Sequence, residues 1–343
     1  MSSGSGRFMP SLVRRTLRLL AGPALSACSL GAVVWWALHQ HAPRVPTSPK
    51  SLFLLSLALL VYACVTAVRG LRWHIILRKG GVQVSMADTQ ALIVVGYMGN
   101  TVLPVRGGEL LRVVLLGRRT GSSRATILGT IVAERLLDVV ALLAMLLLLA
   151  LVTTTGVRSV SDLSLTAAIV LTLLALALLA GWRLSHTGPL RGLSTHISEL
   201  TLASRNLLSL QGAWLALLTA LVWVGEGLVY WVVGRALGLH FDLLQGCFLV
   251  VLASLAATIP AAPGYAGTYD AAIQIGLGAL HVHGGRAVTF GLLARLLIFV
   301  PITILGLILM VFRYGGLASL GRLRHVGTST LTDGPLALAE VAK

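Results

Sequence analysis

Charged and helix-breaking residues gather at three places in an otherwise apolar chain, and these places define the chemistry open to it. The first is GNTVLPVRGGELLR, Gly99 to Arg112. Pro104 ends one helix, because its ring clashes with the preceding turn and it has no N–H, and Gly107-Gly108 permit a sharp turn into the next. A helix starting near Gly108 would carry Arg106, Glu109 and Arg112 three residues apart along one stripe. Its free N–H groups and positive dipole end suit an anion such as a lipid phosphate. The competing reading is a loop edge whose charges pair with one another.

The second place is AERLLD, Ala133 to Asp138. Glu134 and Asp138 share a helix face at i, i+4, and Arg135 reaches Asp138 at i, i+3. Charges at mid-bilayer depth cost at least about 2.5–3.5 kcal/mol each on insertion scales, so they must face protein or water. Either an ion-pair network or a site shared with the first stripe satisfies that demand. The third place is IPAAPGYAGTYDAA, Ile259 to Ala272. Pro260, Pro263, Gly264 and Gly267 prevent a continuous helix there. Asp270 falls in the first turn of the helix that follows, as a cap or as a ligand. Glu226 and Arg295 are further charges within apolar segments, and Arg295 is the better anion contact.

Other chemistries lack their residues. There is no GxxxxGK[ST] phosphate loop, no HExxH and no GxSxG elbow. The nine His are mostly at loops or segment edges, and Cys28, Cys64 and Cys247 lie in apolar runs without ligand spacing. The expectation is no metal, no cofactor and no catalytic residue.

The elements that must position these charges are membrane helices. Hydrophobic residues make up 56% of the 343 and charged residues 11%, with a mean hydropathy of +0.89. Soluble domains carry about 25% charged residues, so this chain could not cover a surface facing water. A helix crossing the hydrocarbon core needs about 20 apolar residues. Segments 19–38, 51–68, 125–152, 163–184, 210–234 and 286–312 qualify or nearly so. Two more, 87–119 and 244–280, are broken by Pro and Gly and read as re-entrant hairpins. The expected fold is an all-α polytopic membrane protein with about six full spans and two broken hairpins.

The net charge of +16 reads as topology rather than nucleic-acid binding, because the basic residues are scattered between apolar runs. With the N-terminus in the cytoplasm, only Arg44, Lys50, Arg158, Arg235 and Arg286 fall outside, and Arg135 and Arg295 fall within spans. Arg69 and Arg72 are counted among the inner charges. That bias predicts a multi-pass protein of the cell (inner or plasma) membrane with both termini cytoplasmic. The basic side would also attract an anionic lipid surface. Arg14, Arg15 and Arg18 before an apolar run also fit a signal peptide, but the run continues past Cys28 to Leu38 and suits an uncleaved span better.

The chain then divides into a basic N-terminus (1–18), a first membrane half (19–152), a second half (153–312) and a cytoplasmic tail (313–343). Leu190, Leu193, Ile197 and Leu200 predict an interfacial helix over about 188–205. Both halves read span, span, broken hairpin, span. An odd span number per half makes the second enter from the opposite side, as in an inverted-topology repeat. AERLL at Ala133–Leu137 and ARLL at Ala294–Leu297 echo one another, with Arg135 and Arg295 near the midplane.

Asn100, Leu103-Pro104, Arg106, Gly108-Glu109 and Arg112, followed by Glu134-Arg135 and Asp138 and then a Pro-Gly-rich break, resemble the flippase-like membrane region of lysylphosphatidylglycerol synthases. The resemblance covers about residues 15–312. It implies a polytopic lipid-translocating or lipid-glycan-associated protein, with Asn100, Arg106, Glu109, Arg112, Glu134, Arg135 and Asp138 as the matching polar positions. One departure stands out: the family's second break ends in Glu, whereas here Tyr265-Ala266-Gly267 leads to Asp270. The tail is too short for an aminoacyl-transfer domain, so lysine transfer by this chain alone is not expected. The expected function is a flippase or scramblase for an anionic phospholipid or a polyprenyl-phosphate-linked glycolipid, its partner the lipid headgroup. The alternative is a membrane enzyme acting on lipid-linked sugars or phosphates, or an accessory subunit of a lipid-modifying enzyme.

Overall fold

A computed structural model describes residues 46–103, 107–154, 210–257 and 263–315. The expected spans 19–38 and 163–184, the interfacial helix, the N-terminus and most of the tail lie outside the described residues, as do Pro104, Arg106 and Pro260. Among the described residues there is no strand. The helices are α1 (Pro49–Lys79), α2 (Met86–Val102), α3 (Gly107–Thr120), α4 (Arg124–Thr154), α5 (Leu210–Ala236), α6 (Leu243–Ala256), α7 (Thr268–Ala279) and α8 (Gly285–Tyr314).

Local chemistry sets several of the helix ends. The Ser48 hydroxyl accepts from the Ser51 N–H, with Pro49 opening α1, and Arg78 and Lys79 close it at the negative dipole end. Ser85 caps α2 through the Asp88 N–H, and Asp242 and Gln245 form a reciprocal capping box on α6. Gly315, with a left-handed φ of 80°, ends α8.

Three helices are long and apolar enough to cross a membrane: Pro49–Lys79, Gly212–Ala236 and Gly285–Tyr314. Helix α4 is as long as α1, at 31 residues, but carries Glu134, Arg135 and Asp138 in its middle. The surface fits a lipid solvent, since large apolar side chains such as Phe53, Leu60, Leu221, Ile304 and Phe312 are exposed. One correction concerns α1. It does not stop at residue 68 but continues to Lys79, so Arg69 and Arg72 are buried helix residues rather than loop charges.

Both predicted breaks are present. Helix α2 ends at Val102 and α3 begins at Gly107; α6 ends at Ala256, and a short 3₁₀ turn, Pro263–Tyr265, precedes α7. The second break needs left-handed backbone at Gly264 (φ 65°), Tyr265 (φ 55°) and Gly267 (φ 89°), which glycine adopts at two of those three positions without a Cβ penalty.

Two packed cores hold the helices. One joins α1, α5, α6, α7 and α8 through residues such as Tyr62, Val229, Leu249, Ile273 and Phe290. The other joins α1 to the α2–α3 hairpin, α4 and the end of α8 through Trp73, Leu92, Leu111, Ile131 and Met310. Arginines at two helix ends add a polar clasp: Arg119 of α3 (3.0 Å) and Arg313 of α8 (2.8 Å) both hold Asp88 at the start of α2.

Candidate functional site

Three helices contribute to one chain of ion pairs, and a fourth adds a hydroxyl. Glu134, 1% exposed, accepts from Arg112 Nη2 of α3 at 2.7 Å and from Arg72 Nη2 of α1 at 3.3 Å. Arg72 also donates Nη1 to Asp138 Oδ1 at 2.6 Å and to Thr219 Oγ1 of α5 at 3.2 Å. Asp138 then accepts from Arg135 Nη1 at 3.3 Å, and Arg135 Nε reaches Glu109 Oε1 at 2.9 Å. The Arg112 guanidinium lies 3.8 Å from the centre of the Trp73 ring, which fixes it by a cation–π contact.

This arrangement places the predicted residues plainly. Glu109 and Arg112 share a stripe that meets α4, and the i, i+3 contact of Arg135 with Asp138 is made. The start of α3 is not wholly free for an anion, however. The Gly108 N–H donates to Asn100 Oδ1 at 3.0 Å, so the hairpin's first arm caps its second.

The second hairpin repeats the motif with α8. Arg295 grips Asp270 with two hydrogen bonds, Nε to Oδ1 at 2.9 Å and Nη2 to Oδ2 at 2.8 Å, and donates Nη1 to the Gly264 carbonyl at 3.1 Å. Asp270 Oδ2 also accepts the Gly267 N–H at 3.0 Å. Asp270 is thus both the cap of α7 and the partner of Arg295. The Arg295 guanidinium stacks 5.3 Å from the Tyr269 ring and 5.1 Å from the Phe299 ring. In both hairpins the acid is the third residue of the second arm, and the arginine follows in the next long helix.

A cavity of about 250 Å³ opens between the two hairpins. Of the predicted site residues, Asn100, Arg135 and Asp138 line it. Glu134 and Arg112 belong to the ion-pair chain, and Asp270 of the second hairpin pairs with Arg295 of α8, so none of the four is in the lining. The cavity adds residues that sequence reasoning did not single out as a site. Arg69 of α1 pairs with Glu226 of α5 at 2.8 Å and stacks near the rings of Tyr97 (5.4 Å) and Trp223 (5.6 Å). Tyr62, Tyr230 and Tyr269 complete an aromatic wall, with the two hydroxyls of Tyr230 and Tyr269 2.7 Å apart.

Arg69 and Arg72 were missed as site residues because basic residues at the end of an apolar run look like a cytoplasmic edge. Glu226 was visible as an intramembrane charge, yet nothing in its spacing names Arg69 as its partner. The wall can stack on or solvate a polar headgroup, while paired arginines and carboxylates supply donors and acceptors.

An UPF0104 membrane protein of Pyrococcus horikoshii is 24% identical over 119 residues, 34% of this chain and 35% of that protein. The chain thus matches about a third of the length of that curated relative. No solved structure matches the chain. The family described as "Lysylphosphatidylglycerol synthase TM region" matches residues 19–306, which takes in both hairpins, the ion-pair chain and every residue of the cavity wall. This chain belongs to that family of membrane proteins.

Proposed function

We propose that this protein moves a lipid between the leaflets of the cell membrane, its substrate an anionic phospholipid or a polyprenyl-phosphate-linked glycolipid. One observation carries the reading: a cavity that gathers Arg69, Arg135, Asp138, Glu226 and several tyrosines among apolar side chains lies between the broken hairpins, inside a helical body whose outer surface is apolar. Such a cavity can hold a headgroup while the acyl or prenyl tails stay in the bilayer. Arg135 is one of the two arginines of the lining that can contact the anion. It lines the cavity and is 30% exposed, and its partner Glu109 is itself partly open.

The matching acid–arginine pairs, Glu109–Arg135 and Asp270–Arg295, support an inverted-topology repeat with one pair in each half. Rocking of the halves about the cavity would then alternate access. Both termini lie in the cytoplasm in this reading, and the basic ends of α1 and α3 face an anionic inner leaflet. Glu109, Glu134 and Asp138 are each tied to arginine, so none stands as an unpaired general base, which weighs against a lipid-modifying enzyme.

Mass spectrometry of lipids retained through purification tests the proposal. The expected result is enrichment of a phosphate-bearing lipid over its share of the membrane extract. A charge-assisted hydrogen bond contributes about 1.5–3 kcal/mol, so Arg135→Ala should lower that enrichment roughly tenfold or more. Retained lipid that mirrors bulk composition in both proteins would oppose the reading.

A further inference from the structure

Among the described residues, the fixed charges around the cavity cancel. Arg72, Arg112 and Arg135 are matched by Glu109, Glu134 and Asp138; Arg69 is matched by Glu226 and Arg295 by Asp270. An anionic headgroup entering such a site adds a net negative charge in a low-dielectric setting, where an uncompensated charge is costly. It must displace a carboxylate from an arginine, and the displaced carboxylate must then be neutralised.

Two acids line the cavity, Asp138 and Glu226. Asp138 is held by Arg72 and Arg135 together, at 2.6 and 3.3 Å. Among the described residues Glu226 has a single ion pair, to Arg69 at 2.8 Å. Arg69 is also stacked beside Tyr97 and Trp223, so it keeps its place when the carboxylate leaves. The Arg69–Glu226 pair is therefore the one that can open without stranding its cation.

We infer that Arg69–Glu226 is a proton-exchange pair: the headgroup phosphate takes the Arg69 guanidinium, and Glu226 takes up one proton from the water phase. This rests on the lipid-binding reading above and adds its coupling ion. Charge balances at each stage, because the anion replaces the carboxylate on Arg69 and the proton converts that carboxylate to a neutral acid. The groups around Glu226 are Tyr62 and Arg69 of α1, Tyr97 of α2, Tyr230 of its own helix and Tyr269 of α7, with Arg135 and Asp138 of α4 and Tyr265 of the second break lining the same cavity. Tyrosine keeps its proton near neutral pH in its ordinary range, and Asp138 stays held by two arginines, which leaves Glu226 as the proton acceptor.

Calorimetric titration of the full-length protein in detergent with a short-chain phosphatidylglycerol, repeated in buffers of different ionisation enthalpy, counts protons taken up per lipid. The phosphodiester keeps one charge throughout, so uptake reports on the protein. The expected value is about one proton, with affinity falling about tenfold per unit rise in pH where Glu226 is ionised before binding. Glu226→Gln should remove both the uptake and the pH slope. Arg69→Gln/Glu226→Gln, which keeps the charges balanced, should do the same if the single variant does not fold. Binding by the wild type with no proton uptake and no pH slope overturns the exchange pair but leaves lipid binding standing, and so does uptake that persists in the variants. Preferential binding of a zwitterionic phosphatidylcholine without uptake also overturns it. Failure of every phosphate-bearing lipid to bind overturns the lipid reading itself.

Discussion

Glu134→Ala should cost about 3–5 kcal/mol of stability, the range for removing one member of a buried ion pair and leaving its partners uncompensated. Here Arg112 loses its carboxylate at 2.7 Å, and Arg72 loses a 3.3 Å contact while keeping Asp138 at 2.6 Å. The Nε atoms of both arginines already lack a hydrogen-bond partner among the described residues, so neither has a satisfied Nε to offset the loss. The damage is not local, because Arg72 belongs to α1, Arg112 to α3 and Glu134 to α4. Losing the carboxylate removes the one group that joins all three helices, leaving Glu109–Arg135 and Arg72–Asp138 to tie α3 and α1 to α4. Thermal unfolding in detergent, read with the monodisperse fraction on gel filtration, checks this. A much smaller loss is expected for Glu109→Gln, because Glu109 is partly exposed and water can replace it. An unchanged melting temperature for Glu134→Ala would mean that the buried network does not hold the first half together.

Gly108→Ala should open the first hairpin. A Cβ at Gly108 would run into the Gly96 carbonyl oxygen and lie 2.7 Å from the Asn100 backbone N. Both obstacles are backbone, so no rotamer change relieves them, and the arms must separate. Overpacking of this kind costs about 1–3 kcal/mol, more where backbone has to move. The separation also breaks the 3.0 Å bond from the Gly108 N–H to Asn100, whose side chain lines the cavity. Gly117→Ala, on the same helix, is the matched comparison. Its Cβ would meet nothing nearer than 3.5 Å, and replacing a helical glycine by alanine there gains up to about 1 kcal/mol. The two substitutions should therefore shift the melting temperature in opposite directions. Equal shifts would mean that the close approach of α2 and α3 is not needed.

How much of this was legible in the sequence depends on how local each cause is. The helix breaks were legible because proline and glycine act on their own backbone, and α2, α3, α6 and α7 fall close to the expected limits. The Arg135–Asp138 contact was legible because it lies within one helix, at i, i+3. Arg72–Glu134 was not: its partners are 62 residues apart and meet only when α1 packs on α4. The same holds for Arg69 and Glu226, which come together only where α1 lies along α5. Asp270 was left between cap and ligand because its position in the first turn allows either. The geometry shows the cap and adds an ion pair, since one carboxylate oxygen serves Gly267 and Arg295 together. Asn100 entered through the family resemblance, and its bond to Gly108 gives that position a structural reason.

The central idea is that a headgroup crosses through the cavity between the two hairpins, steered by arginines that are already paired. Leaflet exchange of labelled phosphatidylglycerol, a labelled polyprenyl phosphate and labelled phosphatidylcholine in vesicles holding the purified protein tests it most directly. The account predicts faster exchange of at least one phosphate-bearing anionic lipid, cut roughly tenfold by Arg135→Ala, in keeping with the loss of a charge-assisted contact. Exchange of every lipid at the protein-free rate, or full-speed exchange in the arginine variant, would contradict it.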